Sequence, residues 1–300
     1  MSAELIKKLK YKPQHTRKYY VNCDEVTEDP NSLELNTLFQ YKDDTHVIQA
    51  TVKKYLNLPE FNNEIVIKMA KSNKTIAKEY DIGKTIQYIP GFVRFICMFQ
   101  CYDNNSADRL PRQICRSPVK NDETKKLVIL MPYYQLGSIK NYPWKVEETR
   151  ILKSLLKQIV ASTYTAFKTK GFLHSDLHLD NILITESADS MIIYALDIMI
   201  STEGYKIVIT DFELSFVGIE NTLDNRKFFW DDLLNMFSRL YELNTISPTN
   251  LESTLAFLSY ARSENSPIHK AMELFRLIDD LKFRELDTTR ITLKYNPDIY

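Results

Sequence analysis

Glycine is scarce in this chain, with six in 300 residues and none before Gly83. A glycine-rich phosphate cradle is therefore excluded from the first 82 residues, since backbone N–H groups approach phosphate most closely where no Cβ stands in the way. Cysteine is sparse as well: Cys23, Cys97, Cys101 and Cys115 make an unconvincing ligand set for a zinc site that needs about four, and Cys97-x-x-x-Cys101 reads as core or strand packing. No apolar run approaches membrane-spanning length and no apolar segment opens the sequence, so the expectation is a soluble chain in a reducing, cytoplasmic compartment with no membrane span. Thirty-nine basic residues balance thirty-nine acidic ones. That balance removes any bulk electrostatic pull toward nucleic acid, and no nucleic-acid partner is expected.

What is present is concentrated in one stretch, Gly171-Phe-Leu-His-Ser-Asp-Leu-His-Leu-Asp-Asn-Ile-Leu-Ile-Thr185, and in its downstream companion Ile207-Val-Ile-Thr-Asp-Phe-Glu213. The pattern His174-x-Asp176-x-x-x-x-Asn181 sets a carboxylate and a carboxamide on one loop, and the apolar run Ile182-Leu-Ile184 can pin that loop to a buried strand. Asp211 follows the short apolar run Ile-Val-Ile-Thr, so its side chain projects from the end of a rigid element. Phosphoryl transfer requires positioning more than covalent help. One carboxylate orients and deprotonates the attacking hydroxyl, while oxygen ligands hold Mg²⁺ against the phosphates. Asp176 suits the first role, and Asn181 with Asp211 suits the second.

These ordered motifs resemble the catalytic loop and the Asp-Phe-Gly segment of the protein-kinase-like fold. Phe172-Leu-His-Ser-Asp-Leu-x-x-Asp-Asn-Ile-Leu183, with a non-glycine after Asp211-Phe212, is most similar to the divergent serine/threonine kinases of poxviruses and other large DNA viruses. His178 stands where protein kinases usually carry lysine, and it is similar to the residue found there in aminoglycoside and choline phosphotransferases. The resemblance implies an α+β, bilobal fold with a small β-rich N-lobe and a mainly helical C-lobe. It also implies ATP and Mg²⁺ as cofactors and a protein bearing Ser or Thr as substrate.

The resemblance extends along the rest of the chain. Residues 1–30 form an N-terminal extension, 31–132 the N-lobe and 133–300 the C-lobe of one catalytic domain. Leu33 to Val52 alternates loosely about Lys42-Asp-Asp-Thr45 and predicts a β-hairpin. It sits where a kinase places its Gly-rich loop. Glu64-Ile-Val-Ile-Lys68 resembles the strand whose lysine grips the α and β phosphates, and Asn73 to Tyr88 predicts a helix whose one glutamate, Glu79, resembles the partner of that lysine. Phe92 to Cys101 is rich in strand formers. Residues 103–126 read as an inserted surface loop. Leu127-Val-Ile-Leu-Met-Pro132 predicts a buried strand entering Tyr133-Tyr-Gln-Leu-Gly-Ser138, which resembles the hinge. The resemblance implies adenine contacts at Met131, Pro132 and Tyr134, where Pro132 needs only its carbonyl.

Lys145 to Lys170 carries the i, i+4 stripe of an amphipathic helix ended by Gly171. Residues 189–204 predict an enlarged hairpin, with Met191–Ile200 as one extra strand. Lys227 to Leu240 predicts a helix whose Asp232, rather than Asp231, resembles the aspartate that anchors the catalytic loop. Two or three further helices, including one over Ile268 to Phe283, close the chain. Three functions fit this reading: a serine/threonine protein kinase, a small-molecule kinase of the aminoglycoside or choline type, and a pseudokinase that binds partners.

Overall fold

The computed structural model describes residues 33–42, 45–52, 64–69, 73–103, 115–116, 125–194, 198–243 and 248–282. The expected N-terminal extension and residues 283–300 lie outside these. The fold is mixed α/β and divides into two compact units: one of residues up to Ala77 with Phe95–Tyr133, the other of Lys78–Arg94 with Tyr134 onward.

The first unit is built on a six-stranded antiparallel sheet. Its strands are β1 (Leu33–Lys42), β2 (Thr45–Val52), β3 (Glu64–Met69), β4 (Cys97–Asp103), β5 (Cys115–Arg116) and β6 (Lys125–Pro132), in the order β1-β2-β3-β6-β4-β5. The hairpin read over Leu33–Val52 forms with strand ends on either side of the expected turn. β1 carries two register shifts, between Leu35 and Thr37 and between Leu38 and Gln40; irregularities of this kind bend a strand and increase its twist. Ile65, Ile67, Val128, Ile129 and Leu130 are fully buried, as expected of central strands of apolar, β-branched composition. Asn73 opens helix α1 (Asn73–Ile86) by bonding across to β6: its Nδ2 donates to Lys125 O at 2.8 Å, and its Oδ1 accepts Leu127 N at 2.7 Å.

Two expectations are corrected in this region. The strand expected over Phe92–Cys101 starts only at Cys97. Residues Gly91 to Val93 instead pair with the second unit's strand β10 (Tyr205–Ile209): Ile209 N donates to Gly91 O at 2.8 Å and Val93 N donates to Ile209 O at 2.9 Å. Gly91 allows this approach, since at φ 90° its missing Cβ would lie 2.1 Å from Ser162 Oγ. In addition Cys97, read as simple core packing, is disulfide-bonded.

The second unit is mainly helical. Helix α2 (Thr149–Lys170) is buried along most of its length and ends at Gly171, whose φ of 57° and close approach to the Ile219 backbone leave no room for a side chain. Strand β7 (Ile182–Glu186) pairs antiparallel with β10 in the register Ile182↔Ile209 to Glu186↔Tyr205. The 189–204 insertion is a hairpin of two short strands, β8 (Met191–Ile193) and β9 (Met199–Ser201), where one extra strand was expected. Its inward residues Ile192, Tyr194 and Ile200 bury against Ala161 of α2, so the hairpin is an accessory to the core. Helix α3 (Leu223–Ser238) starts four residues earlier than its apolar pattern suggested, because Thr222 caps it by accepting Asn225 N. Helix α4 (Pro248–Ser263) follows, and the expected helix from Ile268 splits into a 3₁₀ segment, Ile268–Glu273, and a short helix α5 (Leu274–Asp279). No helix of the described residues is long and apolar enough to cross a membrane.

Candidate active site

The β7/β10 ladder brings the two motifs together. Because Ile182 pairs with Ile209, the residues just outside that pair, Asn181 and Thr210, face each other, and Thr210 N donates to Asn181 O at 3.0 Å. Asp211 is the next residue, so the ladder sets it beside the loop that carries Asp176 and Asn181.

Within the loop, Asn181 Nδ2 donates to Asp176 O at 3.1 Å and Asn181 N donates to His178 O at 3.0 Å. With Nδ2 committed to the loop, Oδ1 is the amide atom that can face a cation. The Asp176 side chain is 41% exposed, which leaves its carboxylate open to an incoming group. Ser175 and Asp211 both adopt left-handed backbone, with φ of 63° and 67°. Such conformations cost about 1–2 kcal/mol in a non-glycine residue and persist only where the surroundings hold them.

The surroundings do hold them. Asp232, buried on α3, accepts His174 N through Oδ2 at 2.8 Å and Ser175 N through Oδ1 at 2.9 Å. Burial pushes its carboxyl up to about 7, against the opposing pull of those two backbone donors. Asp231, the rejected neighbour, pairs with Arg262 instead. His174 is buried with Nε2 against Thr210 O at 3.0 Å, and burial lowers its pKa. The carboxylates of Asp176 and Asp211 both act on this ring electrostatically. Phe212 is fully buried and meets Phe172 and His174 edge-on, with centroids 5.9 Å away in each case.

Glu213 has ordinary negative φ, unlike Asp211 two residues before it, so a side chain is tolerated there. Its carbonyl accepts Lys78 Nζ at 3.0 Å, and that ammonium lies 4.8 Å from the Phe216 ring centroid. Lys78 precedes the fully buried Glu79 on α1. His178 Nε2 stands 3.5 Å from Asp176 Oδ2, and its Nδ1 stands 3.7 Å from Asp180 Oδ2. Asp180 also pairs with Lys140 at 2.9 Å.

Lys68 is buried on β3 between Val47 and Ile129. Met131 and Pro132 end β6, buried. Tyr134 belongs to the second unit; its carbonyl accepts Gly137 N at 3.1 Å, closing a turn, and burial raises its phenol pKa while Arg94 works against the rise. Two contacts escaped the sequence reading: Asn235 Nδ2, which donates to Leu177 O at 3.1 Å, and the Lys78–Glu213 bond. Asn235 lies three residues after Asp232 on the same helix face, a spacing that could have flagged it.

Residues 133–238 match the family model of the poxvirus serine/threonine protein kinase. The matched segment contains Tyr134, Asp176, Asn181, Asp211 and Asp232, whereas Lys68, Glu79, Met131 and Pro132 fall before it. An uncharacterized protein, 098R, of Invertebrate iridescent virus 6 is 32% identical over 79 residues, covering 24% of this chain and 13% of that protein. The chain therefore spans only a small part of the length of this relative. Both similarities are to viral proteins, as the sequence motifs suggested.

Proposed function

We propose that the chain is an ATP- and Mg²⁺-dependent phosphotransferase of bilobal, kinase-like architecture that transfers the γ-phosphoryl group to a serine or threonine hydroxyl of a protein, in the host cytoplasm or the virion. The observation that carries the reading is the joining of Asp176, Asn181 and Asp211 at one end of the β7/β10 ladder, with the Asn181 amide turned so that its oxygen can face a cation. Two oxygen donors suit Mg²⁺, which takes one or two protein ligands and completes its shell from phosphates and water. Bound there, the ion would supply neutralisation of phosphate charge.

Asp176, exposed and fixed through its backbone, orients the attacking hydroxyl and takes its proton as the new O–P bond forms and the bond to the leaving oxygen breaks. Lys68 is the candidate grip on the α and β phosphates and Glu79 its orienter; Met131, Pro132 and Tyr134 are the candidates for the adenine. Radiolabelled ATP with Mg²⁺ and a generic protein acceptor tests the reading. Label is expected on Ser or Thr of the acceptor.

A second reading is favoured by His178, whose Nε2 lies 3.5 Å from Asp176 Oδ2: a small-molecule kinase of the aminoglycoside or choline type. Transfer to such an acceptor, with none to protein, would select it. No transfer to any acceptor would select the pseudokinase.

A further inference from the structure

Helix α3 reaches the catalytic loop at two places, one on each side of Asp176. Upstream, Asp232 accepts the N–H groups of His174 and Ser175. Downstream, Asn235 Nδ2 donates to Leu177 O at 3.1 Å. The two side chains stand at i and i+3 of one helix, hence on one face. Between them the loop makes a turn that it would not hold by itself, since Ser175 is left-handed.

Taken in order, the loop's peptide groups are fixed one after another. Asp232 holds His174 N and Ser175 N, Asn181 Nδ2 holds Asp176 O, Asn235 holds Leu177 O, and Asn181 N holds His178 O. Asn181 lies on the loop it braces and moves with it. Asp232 and Asn235 come from a separate rigid helix, so they tie the loop to the body of the unit, alongside the bonds from Ser215 Oγ to His174 O and between His174 Nε2 and Thr210 O. Leu177 is itself fully buried, and its carbonyl accepts the amide of the partly buried Asn235. Asparagine is a weak helix former, so its presence in the interior of α3 is accounted for by this bond rather than by the helix.

We infer that Asn235 is a positioning residue for Asp176. Its amide fixes the peptide group that follows the one leaving Asp176, and with Asp232 it sets the direction in which the Asp176 carboxylate points. Asn235 touches neither substrate nor nucleotide in this role. The inference rests on the phosphotransferase reading for its effect on rate, but not for its effect on the loop.

The test uses the full chain and three variants. Asn235→Asp keeps size but turns an acceptor toward a carbonyl; Asn235→Ala removes the donor; Asn235→His restores a ring N–H near the position of the amide nitrogen. Misplacement of a catalytic group by about 1 Å costs on the order of 100-fold in rate, so kcat should fall by roughly 10- to 100-fold in Asn235→Asp and somewhat less in Asn235→Ala. KM for ATP should stay within about twofold, and Asn235→His should recover most of the loss. Amide hydrogen exchange at residues 174–181 should quicken in Asn235→Asp and Asn235→Ala, with the β7/β10 amides unchanged. Unchanged kcat together with unchanged exchange in folded Asn235→Asp overturns the inference, as does a loss in every variant that follows the melting temperature without recovery in Asn235→His. If the unmodified chain transfers no phosphate, the phosphotransferase reading fails on its own, and the exchange experiment still decides whether Asn235 holds the loop. Should Asn235→Asp fail to fold, the comparison of Asn235→Ala with Asn235→His carries the decision.

Discussion

Asp232 holds Ser175 in a conformation that serine rarely adopts: Oδ1 accepts the Ser175 N–H at 2.9 Å while the serine backbone sits at φ 63°. The same carboxylate takes the His174 N–H at 2.8 Å through its other oxygen. A buried acid thus stores local strain next to Asp176, and the loop geometry depends on it.

Asp232→Ala should accordingly destabilise the protein and inactivate it together. The substitution leaves two backbone donors without their acceptor, and an unsatisfied buried group costs about 1–3 kcal/mol. Chemical denaturation at one fixed pH measures the loss, and a phosphotransfer assay on the surviving folded fraction measures the second effect. A variant that melts unchanged and remains active would remove Asp232 from the account of the loop.

Stability should also depend on pH through this residue. Burial raises the Asp232 carboxyl from 3.8 to about 7, so the folded state binds its proton more tightly than the unfolded chain does. The contribution of this group is then fully present below about pH 4 and is lost as pH rises toward 7, at a slope of at most about 1.4 kcal/mol per pH unit. Denaturation of the native protein and of Asp232→Asn from pH 5 to pH 8 isolates the term. The native protein's advantage over the variant should shrink as pH rises. A growing advantage would mean that the two backbone donors outweigh burial and keep the group ionised.

The loop from His174 to Asn181 and its companion at Asp211 were legible because their polar residues are compressed into short, ordered stretches. His174, Asp176, Asn181 and Asp211 needed only the pairing of Ile182 with Ile209 to become neighbours. The hairpin from Leu33 to Val52 and helix α2 ending at Gly171 were legible for a related reason, since period and punctuation are local signals. Long-range competition was not legible. Phe92 and Val93 have strand composition, yet their partner is Ile209 rather than the sheet containing Cys97. The apolar run Met191–Ile200 read as one strand because nothing in its pattern marks the reversal between Ile193 and Met199. Asn235 and Lys78 act on carbonyls far away in sequence, at Leu177 and Glu213. Lys78 has no motif to announce it, and Asn235 has only its spacing of three residues from Asp232.

Asp176→Asn and Asp211→Asn should each abolish phosphotransfer with the fold retained, because asparagine keeps the size of aspartate and removes only the charge that the proposed chemistry uses. The losses should differ in kind. Asp211→Asn should weaken binding of Mg²⁺-nucleotide, whereas Asp176→Asn should lower kcat with little change in nucleotide affinity. Steady-state kinetics and a nucleotide titration separate the two, and undiminished transfer in either variant would defeat the proposed assignment.

The feature least like the proposed kinase reading is the glycine-free hairpin of β1 and β2. Without glycine among residues 1–82, backbone N–H groups there cannot close on phosphate in the usual way. The two register shifts in β1 alter the strand's course but do not remove any Cβ. On the proposed function, phosphate affinity should therefore rest on Lys68, buried on β3, and on a cation that Asn181 and Asp211 would hold. Nucleotide binding should be weak, and chelation of Mg²⁺ should lower ATP affinity by about tenfold or more. Lys68→Met should do much the same, because a lysine acts on phosphate as a point charge that methionine cannot replace. Calorimetric titration of ATP with and without Mg²⁺ checks both statements on one protein. Tight binding indifferent to the cation and to Lys68→Met would show that side chains of the β1–β2 hairpin grip the phosphates directly, and the assignment of Lys68 would then fall.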